Sequence, residues 1–304
     1  MRNPGWVDLQ VNGCSGIDFS SPELTGDDFL RAAERVLESG TGCFLPTLIT
    51  SPFGLYRRNL GVIRRAVVRH GLEREVPGVH LEGPFISADP GAAGAHNPDW
   101  VVPPGPEKVE ALLDLEPGFV RLVTLGADAE NAAGAVRLLR SRGVAVSVGH
   151  HLADSGEIAA AADAGAQALT HLGNGVPGMV PRHRNPIWAG LAEERLAAMI
   201  ITDGHHLPPE LIRVICKVKG AAKIIVTSDA SPGAGLPPGP CRVFGSDAIL
   251  EPGGRLYNPA TGYLAGSAVM LAECMRRLES LGIFSEAELR MAGRDNALKL
   301  IGPA

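Results

Sequence analysis

Val144-Ala145-Val146-Ser147-Val148-Gly149-His150-His151 is an apolar run that stops on two imidazoles. It lacks the alternation of a strand with one wet face. It reads instead as a strand near 144–149 covered on both sides, as in a parallel sheet. Gly143 precedes it and ends a helical pattern near 128–142, for which Asp128 is a candidate N-cap. Ser155 is the candidate cap of the next pattern, near 155–165. A strand between two helices, with polar residues at its C-terminal end, is the unit from which the rest of the chain is read.

The unit recurs. Strands near 6–11, 43–48, 77–82, 120–125, 167–171, 197–203 and 223–228 alternate with helices near 27–40, 54–71, 106–115 and 207–219. Gly40 ends the first helix, and helices near 267–282 and 285–301 close the chain. Eight strands interleaved with helices predict an α/β protein of the (β/α)8 TIM-barrel type. An open doubly wound sheet is the alternative. Against it, no GxGxxG turn follows the first strand and no Walker A sequence occurs. Four further runs also end in polar clusters: His80-Leu81-Glu82-Gly83-Pro84, Leu169-Thr170-His171, Thr202-Asp203-Gly204-His205-His206 and Thr227-Ser228-Asp229-Ala230. A barrel brings all such ends to one mouth; an open sheet does so less readily. Residues 1–304 read as a single barrel domain without repeat or linker. Residues 172–190 read as a long loop after the sixth strand. The Pro- and Gly-rich stretch 231–266 carries a hairpin around 241–257 turning at Gly253-Gly254.

Composition narrows the class. The chain has 304 residues, 45% hydrophobic and 20% charged, as expected of a globular protein with a sizeable core. A net charge of −5 makes no case for a nucleic-acid or acidic-membrane partner. Met1-Arg2-Asn3-Pro4-Gly5 lacks the apolar stretch of a signal peptide, and no window approaches a membrane span. The five cysteines are scattered without CxxC spacing, which points to reduced thiols in a cytoplasm.

Glu82, His150 and His171 form a candidate metal set. Two imidazoles and one carboxylate suit one Zn2+ with a position open for water; Fe2+, Co2+ and Mn2+ can share such ligands. Any one of them alone could be a hydrogen-bonded core residue. Three at three strand ends favour a shared ion. Asp229, with no basic neighbour in its strand, is placed to act as general acid and base. A helix cap or an outer-shell partner is the other use for it. Asp203 precedes a glycine and reads as a turn cap. His206, His96 and the Arg182-His183-Arg184 cluster are candidate substrate groups. Arg182 and Arg184 suit an anion such as phosphate, and Asn174-Gly175 could add backbone N–H groups. His70, His80 and His151 read as structural or surface residues.

Taken together, several motifs resemble those of the N-acetylglucosamine-6-phosphate deacetylase family, within the amidohydrolase superfamily. They are Val7-Asp8-Leu9-Gln10-Val11-Asn12-Gly13, Leu45-Pro46-Thr47-Leu48-Ile49-Thr50, His80 to Phe85, Gly94-Ala95-His96-Asn97-Pro98, Ser147 to His150, Thr170 to Asn174, Asp203 to His206, Ser228-Asp229-Ala230 and Leu264-Ala265-Gly266-Ser267. The resemblance runs from about Trp6 to Leu300 and is specific in order and interval. It implies metal-dependent hydrolysis of the acetamide of N-acetylglucosamine 6-phosphate, a phosphorylated amino sugar, to glucosamine 6-phosphate and acetate. It further implies a metal on Glu82, His150 and His171, Asp229 as acid and base, and His96 stabilising the oxyanion. His206, Asn174, Gly175 and Arg182 to Arg184 would meet the sugar phosphate. Ala95 and Leu264, Ala265 and Gly266 would line the pocket, and a homodimer would share an arginine across its interface. Where many amidohydrolases carry His-x-His, this chain has Gln10 and Asn12, so one metal per subunit is expected. The small β-sandwich usual in the family is expected to be missing, and Thr124 to Ala127 and the loop 173–187 depart from the family pattern. Two other readings remain: an amidohydrolase of another N-acyl sugar or cyclic amide, and a non-catalytic sugar-phosphate-binding homologue.

Overall fold

The computed structural model describes residues 5–302; Met1 to Pro4, part of the N-terminal stretch considered for a signal peptide, lie outside the described residues. Eight parallel strands follow in chain order: β1 (Trp6–Val11), β2 (Thr41–Ile49), β3 (Val79–Glu82), β4 (Val120–Leu125), β5 (Ala145–Val148), β6 (Ala168–Leu169), β7 (Ala197–Ile200) and β8 (Ile224–Val226). A barrel helix follows each: α1 (Gly26–Glu38), α2 (Phe53–His70), α3 (Pro106–Leu113, after a single turn at Pro90–Ala93), α4 (Ala132–Ser141), α5 (Ser155–Asp163), α6 (Pro186–Ala192), α7 (Pro209–Lys219) and α8 (Leu271–Ser280). This is the (β/α)8 barrel that the sequence predicts. Among the described residues, no helix is long and apolar enough to cross a membrane.

The local reasons are ordinary. Helix α1 starts on a capping box, in which the Thr25 hydroxyl accepts from the Asp28 N–H and the Asp28 carboxylate accepts from the Thr25 N–H. It buries Phe29, Ala32, Ala33 and Val36, one helical face, against the sheet. Two expected caps move. Asp154, not Ser155, caps α5: its carboxylate accepts from the Gly156 and Glu157 N–H groups. Asn131 stands at the start of α4, and Asp128 instead accepts from the Leu152 N–H at 2.8 Å. The supposed loop 172–190 ends in α6, capped by Asn185 with Pro186 at the first turn.

The excursion after β8 is a three-stranded antiparallel sheet: β9 (Gly239–Val243), β10 (Ser246–Leu250) and β11 (Leu256–Tyr257). Its first turn is Phe244-Gly245, both at positive φ (53° and 74°), as a two-residue hairpin loop requires. Gly253-Gly254 lies in the second turn, not the only one.

The barrel closes at β1 and β8. Val11 and Ala230 form a parallel bridge, and the Asn12 N–H donates to Ala230 O at 2.7 Å. Below it Asp8, 1% exposed, accepts from Thr227 Oγ1 at 2.8 Å, Ser228 Oγ at 2.5 Å and the Ser228 N–H at 3.1 Å. Burial pushes the Asp8 carboxyl up, and these hydrogen bonds partly offset it. Asp8→Ala takes the acceptor from these three buried donors and from the Gln10 N–H, which reaches Asp8 Oδ1 at 3.2 Å. We expect a loss of about 3 kcal/mol or more in urea unfolding; a loss under ~1 kcal/mol would remove Asp8 from barrel closure.

The barrel interior is layered. Its lower half is apolar, with Val7, Leu9, Leu45, Leu122, Met199 and Ile225 packed on Ala297 and Ile301. The latter two lie on α10 (Asn296–Ile301), which follows α9 (Glu286–Arg290) and plugs the N-terminal end. Above lies a belt of hydrogen-bonded polar groups. His80 Nε2 meets Thr124 Oγ1 at 2.8 Å, which meets Thr170 Oγ1 at 2.8 Å, which donates to Ser147 Oγ at 2.6 Å. His80 is thus structural, and burial holds it neutral with its pKa lowered to about 4. The mouth lies above this belt.

Candidate metal centre and active site

Each residue of the site sits just past or at the end of a strand. Glu82 ends β3, and His150, His171, Asp203 and Asp229 follow β5, β6, β7 and β8. His150, His171 and Asp229 have left-handed backbones, with φ of 52°, 30° and 52°. Such values are strained for non-glycine residues and mark positions that the surroundings over-determine.

Glu82, His150 and His171 come together as a buried triplet able to share an ion. Glu82 Oε1 lies 3.1 Å from His150 Nε2 and 3.0 Å from His171 Nε2, and the two nitrogens are 2.9 Å apart. His150 Nδ1 donates to Ala92 O at 2.7 Å, which turns the Nε2 lone pair inward. Lone pairs that converge so closely need a proton or a cation between them, and two imidazoles with a carboxylate are zinc-type donors. The donor set therefore fits a divalent metal. Burial pushes Glu82 up, but hydrogen bonds to His150 and His171 and the charges of His150 and His96 outweigh it and hold its carboxyl well below the usual range. Burial likewise lowers both histidines; the Glu82 hydrogen bond reverses this at His150, which ends raised, and not at His171.

Gly175 presses on this centre. At φ 63°, a Cβ there would lie 3.0 Å from His150 Nδ1 and 3.1 Å from His171 Cε1. Its left-handed backbone also costs any other residue about 1–2 kcal/mol. Gly175→Ala should therefore weaken metal binding by at least ~10-fold in a chelator competition, as losses of outer-shell support do. Unchanged affinity would mean that the two rings yield freely.

The centre opens into a cleft of about 180 Å³. Ala95, His96, Asn174, Gly175, His206, Asp229, Leu264 and Gly266 all line it, as the sequence reading expects. Ala265 is buried beside it instead. Arg182 and Arg184 are not brought to the cleft. Both are exposed, and Arg184 pairs with Asp154 at 2.8 Å. Burial pushes the Asp229 carboxyl up to about 7, with the Glu82 charge adding to it. Its Oδ1 accepts from Asn12 Nδ2 at 2.7 Å. His96 stands with Nε2 3.7 Å from Glu82 Oε2, and burial lowers its pKa to about 3.

Four contributions escape the sequence reading. Asp203 caps its turn, as read, through the His205 and His206 N–H groups; what was not read is that its carboxylate also holds His206 Nδ1 at 2.7 Å. Burial opposes both charges of that pair, yet the contact wins, lowering Asp203 and raising His206. Asn12 reaches Asp229, and Phe244 and Tyr263 of the excursion wall the cleft. The Asp-x-x-His spacing of Asp203 and His206 is the one local signal among these.

The comparisons agree with this geometry. The chain is 37% identical over 303 residues to N-acetylglucosamine-6-phosphate deacetylase from Danio rerio, covering 95% of this chain and 72% of that one. It is 30% identical to N-acetylgalactosamine-6-phosphate deacetylase from Escherichia coli O157:H7, covering 99% of this chain and 80% of that one. A solved N-acetyl-D-glucosamine-6-phosphate deacetylase from Mycobacterium smegmatis, in complex with N-acetyl-D-glucosamine-6-phosphate, superposes with a TM-score of 0.87 at 30% identity, covering 98% of this chain and 77% of that one. No family model matches the chain.

Proposed function

The chain belongs to the N-acetylglucosamine-6-phosphate deacetylase family, metal-dependent amidohydrolases, and on that premise we propose that it deacetylates an N-acetylamino-sugar 6-phosphate, N-acetylglucosamine 6-phosphate first among them. The observation that carries the proposal is the buried Glu82, His150 and His171 triplet facing Asp229 across one cleft. We assign one divalent metal to the triplet, Zn2+ before Fe2+, Co2+ or Mn2+. When bound, such an ion supplies Lewis acidity and a water of lowered pKa.

The chain's own residues do the rest. Asp229 takes the proton of the attacking water and returns it to the leaving amine nitrogen, so that acetate departs. His96 donates from Nε2 to the amide oxygen as negative charge grows there. His206, held by Asp203, and the backbone at Asn174 and Gly175 take up the sugar phosphate, with Ala95 and Leu264 to Gly266 as walls. Arg182 and Arg184, exposed on this subunit, serve the partner's phosphate in a homodimer. We take the whole chain as one catalytic barrel domain. The five unpaired cysteines suit a reducing cytoplasm.

The test is acetate release by metal-loaded protein from N-acetylglucosamine 6-phosphate, N-acetylgalactosamine 6-phosphate and unphosphorylated N-acetylglucosamine. We expect turnover of at least one phosphosugar and a loss of kcat/KM without the phosphate. No turnover with any of the four metals overturns the reading. Equal kcat/KM without phosphate removes the anion role of the loop 173–187.

A further inference from the structure

We propose that Thr50 is a positioning residue that fixes the tautomer of His96, so that the ring faces the cleft with Nε2–H as a donor and has no lone pair there. The role of that donor in catalysis rests on the amide-hydrolysis reading above; the tautomer itself does not.

His96 Nδ1 meets Thr50 twice. The Thr50 backbone N–H donates to it at 3.2 Å, and Thr50 Oγ1 lies 2.9 Å away. A backbone N–H can only donate, so Nδ1 must offer its lone pair. In a neutral imidazole the proton is then on Nε2. The alternative, Nδ1–H pointing at Oγ1, would set two hydrogens against each other at the backbone amide. Nε2 is the nitrogen on the side of the metal set, 3.7 Å from Glu82 Oε2, with the ring edge-on to His150 at 4.4 Å between centroids. A ring so fixed can hydrogen-bond an oxygen but cannot accept a proton from water. The proton-accepting part therefore does not fall to His96, in keeping with the role proposed for Asp229.

Thr50 is itself held. The Ile49 N–H before it donates to Ser20 Oγ at 3.0 Å, and Ser51 Oγ after it donates to Ile49 O at 2.9 Å. The hydroxyl also approaches Glu82 O at 3.4 Å. A Cβ on Gly83 would fall 2.2 Å from Thr50 Oγ1. The glycine after the metal-set carboxylate thus leaves the room that the threonine hydroxyl occupies. Strand end, hydroxyl and imidazole form one rigid unit.

Zn-loaded full-length protein with 15N-labelled histidine tests this without substrate. Long-range proton–nitrogen correlations distinguish the two tautomers, and the His96 signals are those lost in His96→Gln. We expect the Nε2–H pattern; an Nδ1–H pattern overturns the proposal whatever the substrate proves to be. In the enzyme assay, Thr50→Val should lower kcat about 10-fold, as loss of an outer-shell partner does, with KM and zinc content unchanged. Thr50→Ser should restore kcat. Wild-type kcat in Thr50→Val, or no recovery in Thr50→Ser, overturns the hydroxyl's part.

Discussion

Asp229→Asn lowers kcat by about 10²–10⁴-fold, the usual contribution of a positioned general acid–base, while metal content and fold stay as in the wild type. Asparagine has the same shape and can still accept from Asn12 Nδ2, which holds Oδ1 at 2.7 Å in the wild type. What it cannot do is take a proton. Steady-state kinetics with metal analysis on the same sample decides the matter, since a kcat within about tenfold of wild type excludes Asp229 as the base. The same pair of proteins gives a pH test on metal-free samples. Burial and the Glu82 charge raise the folded pKa of Asp229 from 3.8 to about 7. The folded state then holds this proton more tightly than the unfolded state. The stabilisation is full below 3.8 and is lost as pH rises through about 7. Asparagine does not titrate, so the stability of wild type relative to Asp229→Asn should fall as pH climbs across that window. A difference that rises with pH would mean that the carboxyl is not raised.

Glu82→Gln should weaken metal binding by well over ~100-fold, more than an outer-shell loss costs, and abolish turnover at ordinary metal concentrations. The amide keeps the shape but removes the only negative charge of the triplet. The thermal readout is independent of activity. Binding to the folded state alone stabilises by about 4 kcal/mol when metal exceeds its Kd 1,000-fold. Chelation should therefore lower the wild-type Tm clearly and leave Glu82→Gln unmoved. A chelator-sensitive Tm in Glu82→Gln would put the ion elsewhere.

The barrel was legible because its strands are short runs rich in Val, Ile, Leu and Ala that stop on polar residues. All eight predicted runs overlap a barrel strand, with bounds that differ by no more than three residues. The metal triplet was legible for the same reason, since a carboxylate or imidazole at a buried strand end is conspicuous. Features set by distance through space were not. Nothing near Asn12 in sequence announces Asp229, 217 residues away. Phe244 enters the cleft only because an unexpected type of turn, at Phe244-Gly245, folds its sheet over the mouth. Adjacent capping residues such as Asp154 and Ser155 differ by one position, which composition cannot resolve. The arginines of the loop 173–187 were read as anion contacts from their charge, their Gly-rich loop and the family resemblance, and none of these gives the direction in which they point on one subunit.

The segment after β3 joins two duties in few residues. Ala92 O orients His150, and four residues on, His96 takes its place over the same carboxylate. On the proposed mechanism, grip on the cation and polarisation of the amide are thereby mechanically ganged. A displacement of this short strap, whether by an engineered insertion or by a molecule wedged beneath it, would loosen the ion and misalign the donor in a single movement.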